Sequence, residues 1–239
     1  MTRTKKRYGE MAETIHANSP ADALRIQEML RHRCQTAGTI APGDIRLVAG
    51  ADAAYTKDTM YAAVVVMTFP ALDIAERACI ARKVSFPYIP GLLSFREGPA
   101  VLDAFFLLHS EPDLIFVNGH GYAHPGRFGI ASHIGCILDI PSVGVAQRLL
   151  TGSVAFPGPA PGSAEPVVDR GEIIGMAVRT VGGAKPVFVS VGHKIELGQA
   201  VEMARMATKD HRITEPVWQA DQVSRQFRNS TIRQAQSGA

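Results

Sequence analysis

Residues 113–146 read DLIFVNGHGYAHPGRFGIASHIGCILDIPSVGVA. The stretch opens on a short apolar run at 113–117 and enters a glycine-rich loop at 118–125. A helical pattern follows at 128–138, and a second short apolar run closes it at 142–146. Strand, loop, helix, strand is the order of a parallel crossover unit. It predicts an α/β fold whose sheet is parallel in this part.

Upstream the pattern differs. Residues 45–54 read as a strand leading to Asp52, and 61–69 is a valine-rich run suited to a strand buried on both faces. After a turn at Pro70, residues 73–86 suit a longer, partly exposed strand. Three strands with short connections predict an antiparallel meander. Pro87-Tyr88-Ile89-Pro90-Gly91 interrupts, since its two prolines remove backbone donors. A helix is expected over 94–109, with Ala100, Val101, Ala104, Phe105 and Leu108 on one face. Nearer the start, Ser19 caps a helix whose Ile26, Leu30 and Cys34 recur every four residues, about five turns ending near Gly38. Downstream, the proline-rich segment 155–166 reads as a surface loop, with strands at 173–180 and 187–191 and a helix at 195–207. The expected whole is one α/β domain over 19–208. Its mixed sheet has the meander first and parallel strands after it, with helices on both faces. Residues 1–18 are expected to form a basic arm, and 209–239 a polar, partly disordered tail.

Composition removes other classes. The chain has 239 residues, 46% hydrophobic and 20% charged, which is ordinary for a globular domain and excludes a mainly disordered one. No run approaches the ~18 apolar residues of a membrane span, so no membrane partner is expected. Arg3, Lys5, Lys6 and Arg7 are not followed by an apolar stretch, so the start is no signal peptide. A net charge of +3 does not by itself argue for nucleic acid. Cys34, Cys79 and Cys136 form no CxxC pair, which points to a reducing compartment, the cytoplasm. A monomer is expected.

Three places hold candidate chemistry. Asp52 ends an apolar strand; such a carboxylate either binds a metal or partner, or faces water at a turn. Glu97 closes Ser94-Phe95-Arg96-Glu97, a capping-box pattern with a structural explanation of its own. The loop 118–125 carries His120 and His124 at the carboxyl end of a strand, where ligands bind in open α/β sheets. Either histidine could equally satisfy a backbone carbonyl.

Together these segments resemble the endonuclease V family. The matching stretches are 48–55 (VAGADAAY), 88–97 (YIPGLLSFRE), 112–150 and 189–193 (VSVGH), in family order from about residue 47 to residue 207. The resemblance implies a ribonuclease-H-like fold and metal-dependent phosphodiester cleavage beside deaminated purines. By matching position, Asp52 and Glu97 would bind Mg²⁺ or Mn²⁺, and His193 would lie near that site. Pro87, Tyr88, Ile89 and Pro90 would form a wedge at the lesion. Gly91, Leu93, Gly119 and Gly121 would line a pocket for a flipped base. The implied partner is DNA or RNA containing inosine.

The chain departs from the family at two catalytic positions. Asn118 stands where the family has aspartate, and Gln147 where it has lysine. Asn118 keeps an oxygen for the metal but loses a charge, worth roughly 4 kcal/mol per pair at ~4 Å and a dielectric near 20 before desolvation. Gln147 removes a cation that could stabilise phosphate. Gly126 stands at a usually basic position, with Arg127 next. Three explanations compete: a binder that does not cut, a working site rebuilt with Asn118, His120 or water, and deamidation at Asn118-Gly119 that regenerates aspartate. A small-molecule α/β enzyme is disfavoured because no GxGxxG or Walker pattern occurs.

Overall fold

The computed structural model describes residues 11–38 and 40–237. Its centre is an eight-stranded sheet: β1 Leu47–Tyr55, β2 Thr59–Thr68, β3 Ile74–Lys83, β4 Leu114–Asn118, β5 Ser142–Ala146, β6 Ala164–Asp169, β7 Glu172–Val178 and β8 Val187–His193. Among the described residues five α-helices flank it: α1 Pro20–Arg31, α2 Leu93–Phe106, α3 Ile130–Leu138, α4 Leu197–Met206 and α5 Glu215–Ser237. The strand order is β3-β2-β1-β4-β5-β8-β7-β6. As expected, β1–β3 form an antiparallel meander, while β1, β4 and β5 are parallel. Beyond β5 the sheet is antiparallel again, a second meander that the sequence reading did not contain.

Alternation along the strands divides the core in two. Ala49, Ala51, Met60, Ala62 and Val64 pack under α1, α2 and α3. Val48, Val65, Phe116 and Val145 pack under α4 and α5. The strands of the sheet centre are therefore apolar on both faces, as a doubly covered sheet requires. No helix among the described residues is long and apolar enough to cross a membrane.

Several expectations need correction. Ser19 caps α1, its Oγ accepting the Asp22 N–H at 3.1 Å, but the helix ends at Arg31, after about three turns. Cys34 lies beyond it, where the backbone is satisfied otherwise: the Gln35 carbonyl accepts the Lys194 N–H at 2.6 Å. The expected arm over 1–18 is not all arm. Met11 and Ile15 are buried in the core, while the basic run at 3–7 lies outside the described residues. β6 begins within the segment read as a loop. Its Pro166 argued against a strand, yet β6 is the edge of the sheet, where a missing donor costs little.

The largest correction is at the C-terminus. Residues 215–237 are a helix, not a tail, and α5 lies across β1 and β2. Val217, Ala220 and Ser224 face the sheet at helical spacing, and Phe227 meets the Tyr61 ring edge-on at 5.9 Å. Gly50 makes this approach feasible: a Cβ there would stand 2.0 Å from the Pro216 backbone.

Candidate active site

Sheet register builds the centre of the site. Ala51 pairs with Val117 across β1 and β4, so the next residues, Asp52 and Asn118, come level at the carboxyl ends of two parallel strands. The Asn118 Nδ2 donates to Asp52 Oδ2 at 2.9 Å, and the Ala53 N–H donates to Asp52 Oδ1 at 2.8 Å. Asp52 is only 8% exposed. Burial pushes its pKa up to about 7, and the nearby Asp221 carboxylate adds to the rise. Glu97, from the first turns of α2, is pushed up to about 8, by burial first and the Asp52 charge second. The capping box is not formed: α2 starts one residue early, Leu92 is its N-cap, and Ser94 lies inside. Glu97 is thus free to turn toward Asp52.

Asp221 was missed by sequence reasoning. It comes from α5, the segment read as a tail, and pairs with Arg225 at 2.7 Å. Its approach to Asp52 follows from the Gly50 contact, which sets α5 along β1. A helical stripe at Val217, Ala220 and Ser224 was the available signal.

Beside the carboxylates is a cavity of about 280 Å³. Tyr88, Ile89, Pro90, Gly91 and Leu93 form one wall, and Gly119, His120 and His124 belong to the opposite side. Tyr88 is 64% exposed at its mouth. His124 holds the walls together: its Nε2 donates to the Gly91 carbonyl at 2.9 Å, and its Nδ1 accepts the Gly126 N–H at 3.0 Å. Burial lowers its pKa to about 4, so the ring is neutral. Burial also lowers His120, whose Nε2 donates to the Arg148 carbonyl at 2.9 Å. Gly119 has a φ of 151°, and a Cβ there would stand 2.6 Å from the Ile130 side chain.

Comparison with known proteins gives the family. The sequence profile described as Endonuclease V matches residues 28–222. An endonuclease V of Roseiflexus sp. (strain RS-1) is 45% identical over 203 residues, covering 85% of this chain and 90% of that one. The chain belongs to the endonuclease V family. The crystal structure of the Streptomyces avermitilis endonuclease V superposes with a TM-score of 0.86 at 40% identity, covering 90% of this chain and 96% of that one. The Ciona intestinalis endonuclease V, solved with a 24mer DNA containing an inosine followed by a ribo-adenosine, gives 0.78 at 26% identity, covering 88% and 98%. The fold is accordingly ribonuclease-H-like.

Not every position expected from the endonuclease V resemblance converges. His193 is far from Asp52. It pairs with Ser142 at the start of β5, whereas Asn118 lies beside Val145 near its end. The strand expected at 187–191 extends to His193, but β8 runs antiparallel to β5 and carries its last residue away from the site. Gly121 does not line the cavity; it packs against β8, where a Cβ would stand 2.0 Å from the Val191 carbonyl oxygen. Pro87 also lies outside the cavity wall, beside Phe86 and Phe95 in a separate cleft. Gln147 is exposed just past β5, and its Oε1 accepts from Arg212 Nη2 at 2.6 Å. A guanidinium therefore stands beside Gln147. Arg127 turns away from the site and pairs with Asp169 and Glu172, each at 2.8 Å, tying the glycine loop to the β6–β7 hairpin. Arg148 is the cation at the cavity rim.

Proposed function

We propose that this protein is a divalent-metal-dependent nuclease that cuts DNA or RNA beside a deaminated purine, inosine being the type case. The observation that carries the reading is the pairing of a buried carboxylate group with a base-sized cavity under an exposed aromatic ring. Asp52 and Glu97 are held above the usual carboxylate range because no cation of the protein fully offsets their burial. Such a donor set fits a hard divalent ion, Mg²⁺ or Mn²⁺, with Asp52, Glu97 and the Asn118 oxygen as ligands. When bound, such an ion polarises phosphate and activates water. Asn118 now presents its N–H₂ to Asp52, so offering its oxygen requires half a turn of the amide. Tyr88, set between Ile89-Pro90 and Pro87, would stack at the gap left by the extruded base. The cavity takes one base, since sites for larger ligands begin near ~300 Å³. Cysteines outside any disulfide among the described residues suit the cytoplasm, and the site is complete within one chain, so the protein would act as a monomer.

A second reading has a specific observation behind it. The Asn118 amide satisfies Asp52 without any ion, as a non-cleaving binder of inosine-containing strands would allow. Nicking of an inosine-containing single strand and duplex, with Mg²⁺ and with Mn²⁺, separates the two. Cleavage beside the lesion by the natural chain is the expected result. Asn118→Asp with Gln147→Lys should raise the rate and the metal affinity about tenfold or more. Binding without cutting, converted to cutting by the double substitution, would establish the second reading. No affinity for the strand at low salt would reject both.

A further inference from the structure

A second group of metal-type ligands lies at the other end of the sheet and has no part in the site described above. Cys34 comes from the loop after α1, Cys136 from α3, and His193 from the end of β8. Their ligand atoms all lie within 4.8 Å of one another. Register places the group at Ser142, about 10 Å along β5 from the level of Asn118. We propose that Cys34, Cys136 and His193 form a binding site for a soft divalent ion, Zn²⁺, separate from the carboxylate centre.

Three observations carry this. The first is spacing. Cys136 Sγ and His193 Nδ1 are 3.5 Å apart. A tetrahedral centre with metal–sulfur of about 2.3 Å and metal–nitrogen of about 2.0–2.1 Å holds its S and N ligands about 3.5 Å apart. The second is the tautomer. The Gln35 N–H donates to His193 Nδ1 at 3.1 Å, so this nitrogen is an acceptor whose lone pair an ion would take over from Gln35. The other nitrogen, Nε2, faces the Asp139 carboxylate at 3.4 Å, and Lys194 Nζ holds that carboxylate at 2.7 Å. A carboxylate behind the imidazole is the usual support of a ligating histidine.

The third is access. Cys136 is 2% and His193 1% exposed, but Cys34 is half-buried, so the site is dry inside and open from one side. Water would fill the fourth position there. In the ion-free state Cys34 Sγ donates to the Gly192 carbonyl at 2.8 Å, and an ion would replace this bond and the Gln35 contact. Binding would pin the α1 loop, α3 and β8 to one point, raising stability in proportion to the logarithm of ion concentration.

The test uses the full chain, reduced and stripped with a chelator, with Co²⁺ and then Zn²⁺ as probes. A thiolate-to-cobalt charge-transfer band, saturating at one equivalent and lost on adding Zn²⁺, is expected. Zn²⁺ should also raise the melting temperature. Cys34→Ser and Cys136→Ser should each abolish the band, and Cys79→Ser should leave it. Should Cys136→Ser fail to fold, Cys34→Ser on the half-buried loop still decides. Asp139→Asn tests the support: asparagine tolerates the left-handed φ of 59° at that position, and Zn²⁺ affinity should fall about tenfold. The proposal is overturned by a band that never appears while all three thiols titrate, or by one that survives both serine variants. Recovery of Cys34 and Cys136 as a disulfide that excludes the ion overturns it too.

Discussion

Asp52 and Glu97 are two carboxylates that the fold would rather keep protonated. Their pKa values, about 7 and about 8, lie above those of the unfolded chain. Groups raised in this way favour the folded state fully below the unfolded pKa, and that contribution is lost as pH rises through the folded one. The melting temperature of the ion-free protein should therefore fall between about pH 5 and about pH 8, and Mg²⁺ should restore it most at the upper end. Asp52→Asn should flatten both trends; a melting temperature indifferent to pH and Mg²⁺ in the natural chain would contradict the account. Asn118 invites a second expectation. Deamidation needs the Gly119 nitrogen to attack the Asn118 side chain, but the Gly119 N–H is bound to the Val145 carbonyl at 3.3 Å and the Asn118 amide to Asp52. Peptide mass analysis after prolonged incubation should find asparagine intact; substantial conversion to aspartate would show that the strand opens there. Asp52 stood out as the lone acid of VAGADAAY, although a carboxylate facing water at a turn explained it equally well until the family resemblance was added. Asp221 was not, because acids are common on polar helices and its neighbours in sequence are ordinary.

At the scale of elements, α5 decides the most. Its docking depends on Gly50, since any Cβ there meets the Pro216 backbone. Gly50→Ala should cost about 1–3 kcal/mol. The variant should melt several degrees lower and bind Mn²⁺ more weakly, because Asp221 moves with the helix; thermal melts and ion titrations check this, and an unchanged protein would mean that α5 docks loosely. Strands β1 to β5 were legible to within two or three residues, because turn residues bound each run and, in β2, an unbroken valine-rich stretch leaves little choice of element. α5 hid because only a narrow stripe of it is apolar, and β6 because Pro166 is penalised by a rule that holds for central strands and not for edges. The capping box at Ser94 misled for a related reason. The pattern is local, whereas the start of α2 is set by Phe95 and Leu92 entering the core.

The whole molecule separates what must be rigid from what must reach. Tyr88 is exposed at the cavity mouth and contributes little to the core, so Tyr88→Ala should leave the melting temperature unchanged. Affinity for an inosine-containing strand, measured by anisotropy in chelator, should drop by about 1–3 kcal/mol, the worth of one stacked base. An equal loss on a strand without inosine would show that the ring reads no lesion. Tyr88 and the cavity glycines could be placed from their segment, but their convergence with Asp52 could not, since it depends on how α2 and β4 cross. The order in which the chain is made adds a last point. Asp52, Glu97 and Asn118 emerge from the ribosome well before α5, and Asp221 arrives only when that helix has been synthesised and laid along β1. A nascent chain that has finished its sheet still lacks one carboxylate, so the acidic centre is completed only after the whole sheet has been made.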